Sequence, residues 1–455
     1  MSSIEQFGYR QELQRSLGFA DLMIYGLIFM VPIAPFGIFG TVFASSGGMV
    51  ALAYVIGLVA MAFTALSYAQ MAKAFPMAGS VYTYAGRGIG APVGFMAGWA
   101  ILLDYLLVPT LLYLVASAAM HSFIPAVPVW AWLIVFVLLN TVINRLGIQM
   151  TARITRIMLA AELVVLAIFL VIGGIALAQG KGTAGALTPI FDSSSFSWTL
   201  VFGAASVAVL SFLGFDGIST LAEENREDAR RLGRSMIAAL ALAAVLFVVQ
   251  TWVAALLVPD RAALLAPGAG LDNAFYDTAT YAGGAWLGVL CAVATAIAWG
   301  FANSLVAQAA TSRLLFAMAR DRQLPSFLAR VDPKHKVPVN ATFAVALISL
   351  VLGVGLSFYS DAIALLSSMV NFGAMTAFLL LHIAVVVHYV VRRRSRNWAA
   401  HLLVPLVGFA VLVLVVINAS VAAQVLGFIW LGLGLIVAVV LYTTGRRPVL
   451  PSEVS

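Results

Sequence analysis

The chain is 455 residues long, 63% hydrophobic and only 9% charged, with 25 bases against 18 acids, a net charge of +7 and a mean hydropathy of +1.04. Soluble globular proteins carry about 25% charged residues, and so few charges cannot dress the surfaces of several soluble cores. Nucleic-acid binding, disordered scaffolding and disulfide-stapled secretion are excluded together, which leaves an all-α polytopic membrane protein.

The N-terminal arm, residues 1–17, is polar and is expected in the cytoplasm. No signal peptide is expected here, because the apolar segment after it is too long and lacks a small-residue cleavage site. A bilayer core of about 30 Å needs roughly 20 apolar residues per helix. Apolar runs between charged or Pro/Gly-rich breaks then give about twelve spans. Spans 1 to 6 are predicted at 19–44, 49–75, 92–118, 129–147, 156–178 and 198–221. Spans 7 to 12 follow at 236–258, 285–312, 340–358, 362–390, 402–420 and 424–443, with a cytoplasmic tail over 444–455. With both termini inside, 23 of the 25 lysines and arginines fall on the cytoplasmic side, and only Lys181 and Arg261 fall outside. That asymmetry is the positive-inside pattern, and it accounts for the net charge without a nucleic-acid partner.

Span 1 carries Pro32, Pro35, Gly37 and Gly40 within Val31-Pro-Ile-Ala-Pro-Phe-Gly-Ile-Phe-Gly40. Each proline removes a backbone donor, and the glycines ease departure from helical geometry. Span 6 carries Ser211-Phe-Leu-Gly-Phe-Asp-Gly-Ile-Ser219, two glycines around a carboxylate. Unwound backbone at membrane depth is tolerated where it lines a cavity or is buried in protein. Interruptions at matching positions of two halves point to an inverted-repeat transporter site; two simple kinks are the structural alternative.

Three acids lie inside spans: Asp104 in span 3, Glu162 in span 5 and Asp216 in span 6. A carboxylate in a membrane is costly and faces a partner or a wet cavity. It can bind a cation, carry a coupling proton or, as the bland alternative, hydrogen-bond a neighbouring helix. The aromatic residues near the breaks, Phe29, Phe36, Tyr105, Phe212, Phe215 and Trp299, can stack on an ammonium group or serve as packing. His382 reads as a core histidine. The lone Cys291 and the scattered histidines give no metal or disulfide pattern, and no cofactor is expected. Gly86-x-Gly88-x-Gly90 lacks the strand and the downstream acid of a dinucleotide site.

Four segments carry a family likeness: Pro76-Met-Ala-Gly-Ser-Val-Tyr-Thr-Tyr84; Ser211 to Asp216 with Ser219-Thr220 and Glu223-Glu224; Ser312-Arg-Leu-Leu-Phe-Ala-Met-Ala-Arg-Asp321 with Pro325; and Met150-Thr-Ala-Arg153. Through them the chain resembles the amino acid–polyamine–organocation (APC) superfamily of secondary transporters over essentially its full length. The resemblance implies a LeuT-type 5+5 inverted repeat, with broken helices 1 and 6. The first repeat is then 18–178, the second 198–391, and 399–443 holds two peripheral spans. It also implies alternating access around a midplane site.

The pairing of Leu102-Leu-Asp-Tyr-Leu106 with Phe212-Leu-Gly-Phe-Asp216 is most similar to the bacterial putrescine importers. Two departures from the superfamily pattern bear on the substrate. Where amino-acid-carrying relatives have a glycine-rich stretch whose N–H groups hold a carboxylate, this chain has Ile33-Ala-Pro-Phe-Gly37. Where many relatives have a lysine in span 5, it has Glu162. The expected substrate contacts are Ile33, Ala34, Pro35, Phe36, Asp104, Tyr105, Phe212, Phe215 and Asp216, with Glu162 and Asp216 carrying the proton. The expected function is import of a small cationic amine resembling putrescine by proton symport through a bacterial inner membrane. An amino acid symporter or exchanger is the alternative, and sodium, held by unwound carbonyls, is the alternative ion. No enzyme chemistry is expected, since no nucleophile, base and metal ligands cluster at either face.

Overall fold

The computed structural model describes residues 5–193, 195–359, 362–417 and 421–443. The expected C-terminal tail, with Arg446 and Arg447, lies outside the described residues, as do the first four residues of the arm and the last three of span 11. Among the described residues there is no strand, only one isolated parallel bridge between Leu17 and Asn225.

Ten helices are long and apolar enough to cross a membrane, and the bent pair Phe19–Met30 and Ala34–Ser45 forms an eleventh span. The shorter helix Val129–Arg145 occupies the segment read as span 4. The protein is a multi-pass membrane protein, as its sequence predicts. Several helices run further than their apolar limits, span 7 for example beginning at Ala229 rather than 236. Span 5 begins at Ile148 rather than 156, and span 8 runs Ala285–Arg320 rather than ending at 312. Charges mark a helix's exit from the membrane only if water must solvate them. Arg313 instead pairs inside the bundle with Glu224, whereas Arg156, which pairs with Asp21, stays more than half exposed. Span 8 therefore continues through Arg313.

Burial sorts the spans. The apolar window of span 3 (Ala91–His121) is 89% enclosed by protein, whereas that of span 12 (Gln424–Thr443) is 17% enclosed. Span 3 is thus the axis of the bundle and span 12 faces lipid. Side chains such as Val164, Val171, Leu347 and Val351 are exposed, as a hydrocarbon solvent permits. Small residues let helices approach closely. A Cβ at Gly94 would run into the backbone of Gly86, on the short helix Ser80–Gly88 that follows span 2.

On the side of the bundle that carries the arm, the chain ties itself together with polar contacts. Glu224 takes a two-pronged pair from Arg313 at 2.7 and 2.8 Å, and Glu223 takes one from Arg320 at 3.0 and 2.9 Å. The Ser16 and Leu17 N–H groups donate to the Glu224 carbonyl, and the Tyr9 and Tyr82 hydroxyls donate to the two oxygens of Asp321. Bidentate Arg–carboxylate pairs combine charge with fixed geometry, and both glutamates are fully buried.

Candidate functional site

Both expected interruptions are present. Span 1 bends by 44° across residues 31–33. Val31 has a positive φ of 55°, and Pro32 and Pro35 offer no N–H. The carbonyl of Pro32 is caught by the Gln250 side-chain amide of span 7 at 2.9 Å. Span 6 (Trp198–Leu221) breaks at Leu213–Gly214, where Leu213 is extended and Gly214 has φ +120°, a conformation that L side chains rarely adopt. The two breaks touch: Cβ atoms added at Gly214 or Gly217 would run into Phe29. The glycines of span 6 are therefore the notch that receives span 1.

Beside the contact lies a cavity of about 60 Å³. Its walls come from spans 1, 3, 6, 8 and 10. Most of the lining is apolar, for example Phe29, Val31, Ile38, Val108, Leu112 and Val370. The polar lining is Asp104, Asp216, Ser211, Trp299 and Asn303. No lysine, arginine or histidine is among the described lining residues, so two buried carboxyl groups share a cavity without a basic neighbour in its wall. They lie close enough for their charges to act on one another.

Several donors converge on Asp216. The Tyr105 hydroxyl donates to one oxygen at 2.7 Å and the Gly214 N–H to the other at 3.3 Å, while the N–H groups of Asp216 itself and Gly217 face the same carboxyl. Backbone N–H groups at the start of a helical segment favour a negative charge. Here the chain's own carboxylate occupies that position. Asp104 makes no protein hydrogen bond among those described, and its carboxyl group faces the cavity.

The expected substrate contacts divide into two groups. Ala34, Asp104 and Asp216 line the cavity, as do the aromatic residues Phe29 and Trp299. Ile33, Pro35, Phe36, Tyr105, Phe212 and Phe215 are not among the lining residues. Phe36 stacks on Phe275 at 3.9 Å between ring centroids, Phe212 packs against Tyr54 and Phe247, and Phe215 packs against Tyr68 and Phe378. Tyr105 stands behind Asp216 as its donor.

Glu162 lies on the inward stripe of span 5 with Thr155, Leu159, Leu166 and Phe169, away from the cavity wall, and neither carboxyl oxygen has a hydrogen-bond partner. The sequence reading did not single out Asn303. Its signal was an amide inside an apolar run, which membrane helices place toward the bundle interior. Gln250 gave the same signal in span 7.

Residues 20–444 match the amino acid permease family. The chain is 30% identical over 447 residues to the low-affinity putrescine importer PlaP of Escherichia coli K12, covering 97% of this chain and 96% of that protein. It is 27% identical to the branched-chain amino acid permease BcaP of Bacillus subtilis, over 83% of this chain and 81% of that one. It is 29% identical to the vacuolar cationic amino acid transporter 4 of Arabidopsis thaliana, over 83% of this chain and 63% of that one. These relatives are transporters and permeases, not enzymes. With broken spans 1 and 6 flanking a buried acidic cavity, the chain belongs to the amino acid permease family of the APC superfamily.

Proposed function

We propose that the protein imports a small organic amine with two ammonium groups, putrescine or a similar diamine, by proton-coupled alternating access. The observation that carries this reading is the pair of buried carboxyl groups, Asp104 and Asp216, in a cavity with no base among its described lining residues. A dication neutralises such a pair, while a zwitterion would bring a third carboxylate into it. Two further features support the amine. Pro32 and Pro35 remove donors at the span 1 break, and the N–H groups at the span 6 break already face Asp216. Phe29 and Trp299 offer ring faces and apolar surface to an alkyl diamine. Tyr105 orients Asp216, while Ile33, Pro35, Phe36, Phe212 and Phe215 shape the breaks from behind.

In this reading Asp216 binds substrate and takes part in proton transfer, and Glu162 is the coupling acid. Its unpartnered oxygens in an inward-facing position support a group that binds and releases a proton. The two five-span repeats, 18–178 and 198–391, move against each other, and residues 399–443 stay peripheral. The arm side of the bundle is cytoplasmic in a bacterial inner membrane, with both termini inside. The paired glutamates and arginines there form the closed gate.

A second reading, amino acid symport or exchange, is favoured by the names of two of the relatives. Uptake of labelled putrescine into proteoliposomes under an inward proton gradient decides between them. Saturable uptake blocked by diamines and not by zwitterions is expected. Transport of a neutral amino acid with no putrescine uptake would overturn the amine reading.

A further inference from the structure

The cavity has a polar wall group that neither the carboxylates nor the span breaks account for. Span 8 changes from α to a wider π-helical turn over Ala298–Asn303, then resumes as α-helix from Ser304. Such single π turns concentrate at functional sites. Asn303 is the last residue of that turn and lines the cavity together with Asp104 and Asp216.

The polar side chains that follow it on span 8 are all engaged. Ser304 accepts from Asn140 at 2.7 Å and donates to the Gly300 carbonyl. Gln308 bridges Thr141 and Asn144, and Thr311 donates to the Tyr105 carbonyl. Ser312 donates to the Ala309 carbonyl, and Arg313 is locked on Glu224. Asn303 differs. It is 7% exposed, and its side-chain oxygen is buried without a hydrogen-bond partner. A buried amide without a partner is costly; the polar side chains from Ser304 to Arg313 all have partners, and the other buried group of this turn without one is the Trp299 indole nitrogen, which lines the same cavity. The wall therefore offers one unused amide to whatever fills the cavity.

Ligand chemistry assigns that amide a role. An ammonium group carries three N–H donors directed apart. One carboxylate accepts at most two of them from its own direction, so the third needs an oxygen elsewhere on the wall. We infer that Asn303 is a specificity-determining residue that accepts this third hydrogen bond from a primary ammonium held by the cavity's carboxylates. The inference rests on the amine reading above and narrows it to primary amines. Alkylation of the nitrogen removes the donor that Asn303 reads.

The test is uptake kinetics in proteoliposomes for wild type, Asn303→Leu and Asn303→Asp, with putrescine and N-alkylated putrescines as competitors. Asn303→Leu keeps the volume and removes the acceptor. It is expected to raise KM for putrescine at least tenfold while the maximal rate stays within about twofold, and to erase discrimination against N-alkylated competitors. Asn303→Asp keeps an acceptor oxygen and is expected to hold KM at or below the wild-type value with discrimination intact. A purely structural role would not separate the two variants in this way. If Asn303→Leu does not give a monodisperse protein, the aspartate variant decides alone, because a loss of discrimination there overturns the inference. Unchanged KM and discrimination in Asn303→Leu also overturn it. Failure of the underlying reading is distinguishable: wild type would then show no uptake competed by any diamine, and the assignment of Asn303 would fall with it.

Discussion

The Tyr105 hydroxyl of span 3 donates a 2.7 Å hydrogen bond to Asp216 on the interrupted turn of span 6. That bond ties span 3, whose apolar window is 89% enclosed, to the break in span 6, and in the proposed function it fixes which face of the carboxylate is left for a cation. Tyr105→Phe keeps the ring and deletes the donor. A hydrogen bond to a charged group is worth about 1.5–3 kcal/mol, so kcat/KM for amine uptake is expected to fall roughly 10- to 100-fold. Initial-rate kinetics check this, and an unchanged value would remove Tyr105 from the site.

Asp216→Asn should be more severe. Truncating the charge of a buried pair costs about 2–5 kcal/mol, and binding of putrescine is expected to weaken by about two orders of magnitude while the protein remains folded. Full uptake by this variant would place the cation elsewhere.

Glu162 is expected to separate coupling from binding. Glu162→Gln should abolish accumulation driven by an imposed pH gradient while leaving counterflow exchange of amine across the membrane. Gradient-driven uptake at the wild-type rate would take Glu162 out of the proton path.

How far these residues could be read from the sequence depends on how rare they are. Asp104, Glu162 and Asp216 stand out because acids are scarce in apolar runs, and the prolines and glycines mark both breaks directly. The aromatic residues were not separable in that way. Phe29 and Phe36 are seven residues apart across a bend, and the bend sends one ring into the cavity and the other onto Phe275. Hydropathy also places helix ends at charges, so it could not anticipate that Glu224 would neutralise Arg313 inside the bundle and let span 8 extend to Arg320. Asn303 depends on the π turn, which has no composition signature.

The Glu224–Arg313 pair should behave as a buried ion pair. Breaking one side is expected to cost about 3–5 kcal/mol because the other charge is stranded. Arg313→Met alone should lower the melting temperature in detergent sharply, and Arg313→Met with Glu224→Gln should recover most of the loss. Equal melting of the single and double variants would contradict this.

The contact between the broken spans predicts a suppressor. Gly217→Ala forces a methyl into the Phe29 ring, and overpacking of this kind costs about 1–3 kcal/mol. Adding Phe29→Val should restore thermal stability, even though Phe29 lines the cavity and the double variant would bind substrate less well. Absence of rescue would mean that the glycine serves the backbone alone.

The measurement closest to the central claim is equilibrium binding of putrescine, butylamine and a neutral amino acid of similar length to the purified protein. A cavity with two carboxyl groups and no base among its described lining residues should bind the diamine tightest, the monoamine more weakly and the zwitterion weakest. Aspartate-to-asparagine changes at Asp104 and Asp216 should bring the diamine down toward the monoamine. Tighter binding of the zwitterion than of either amine would contradict the account.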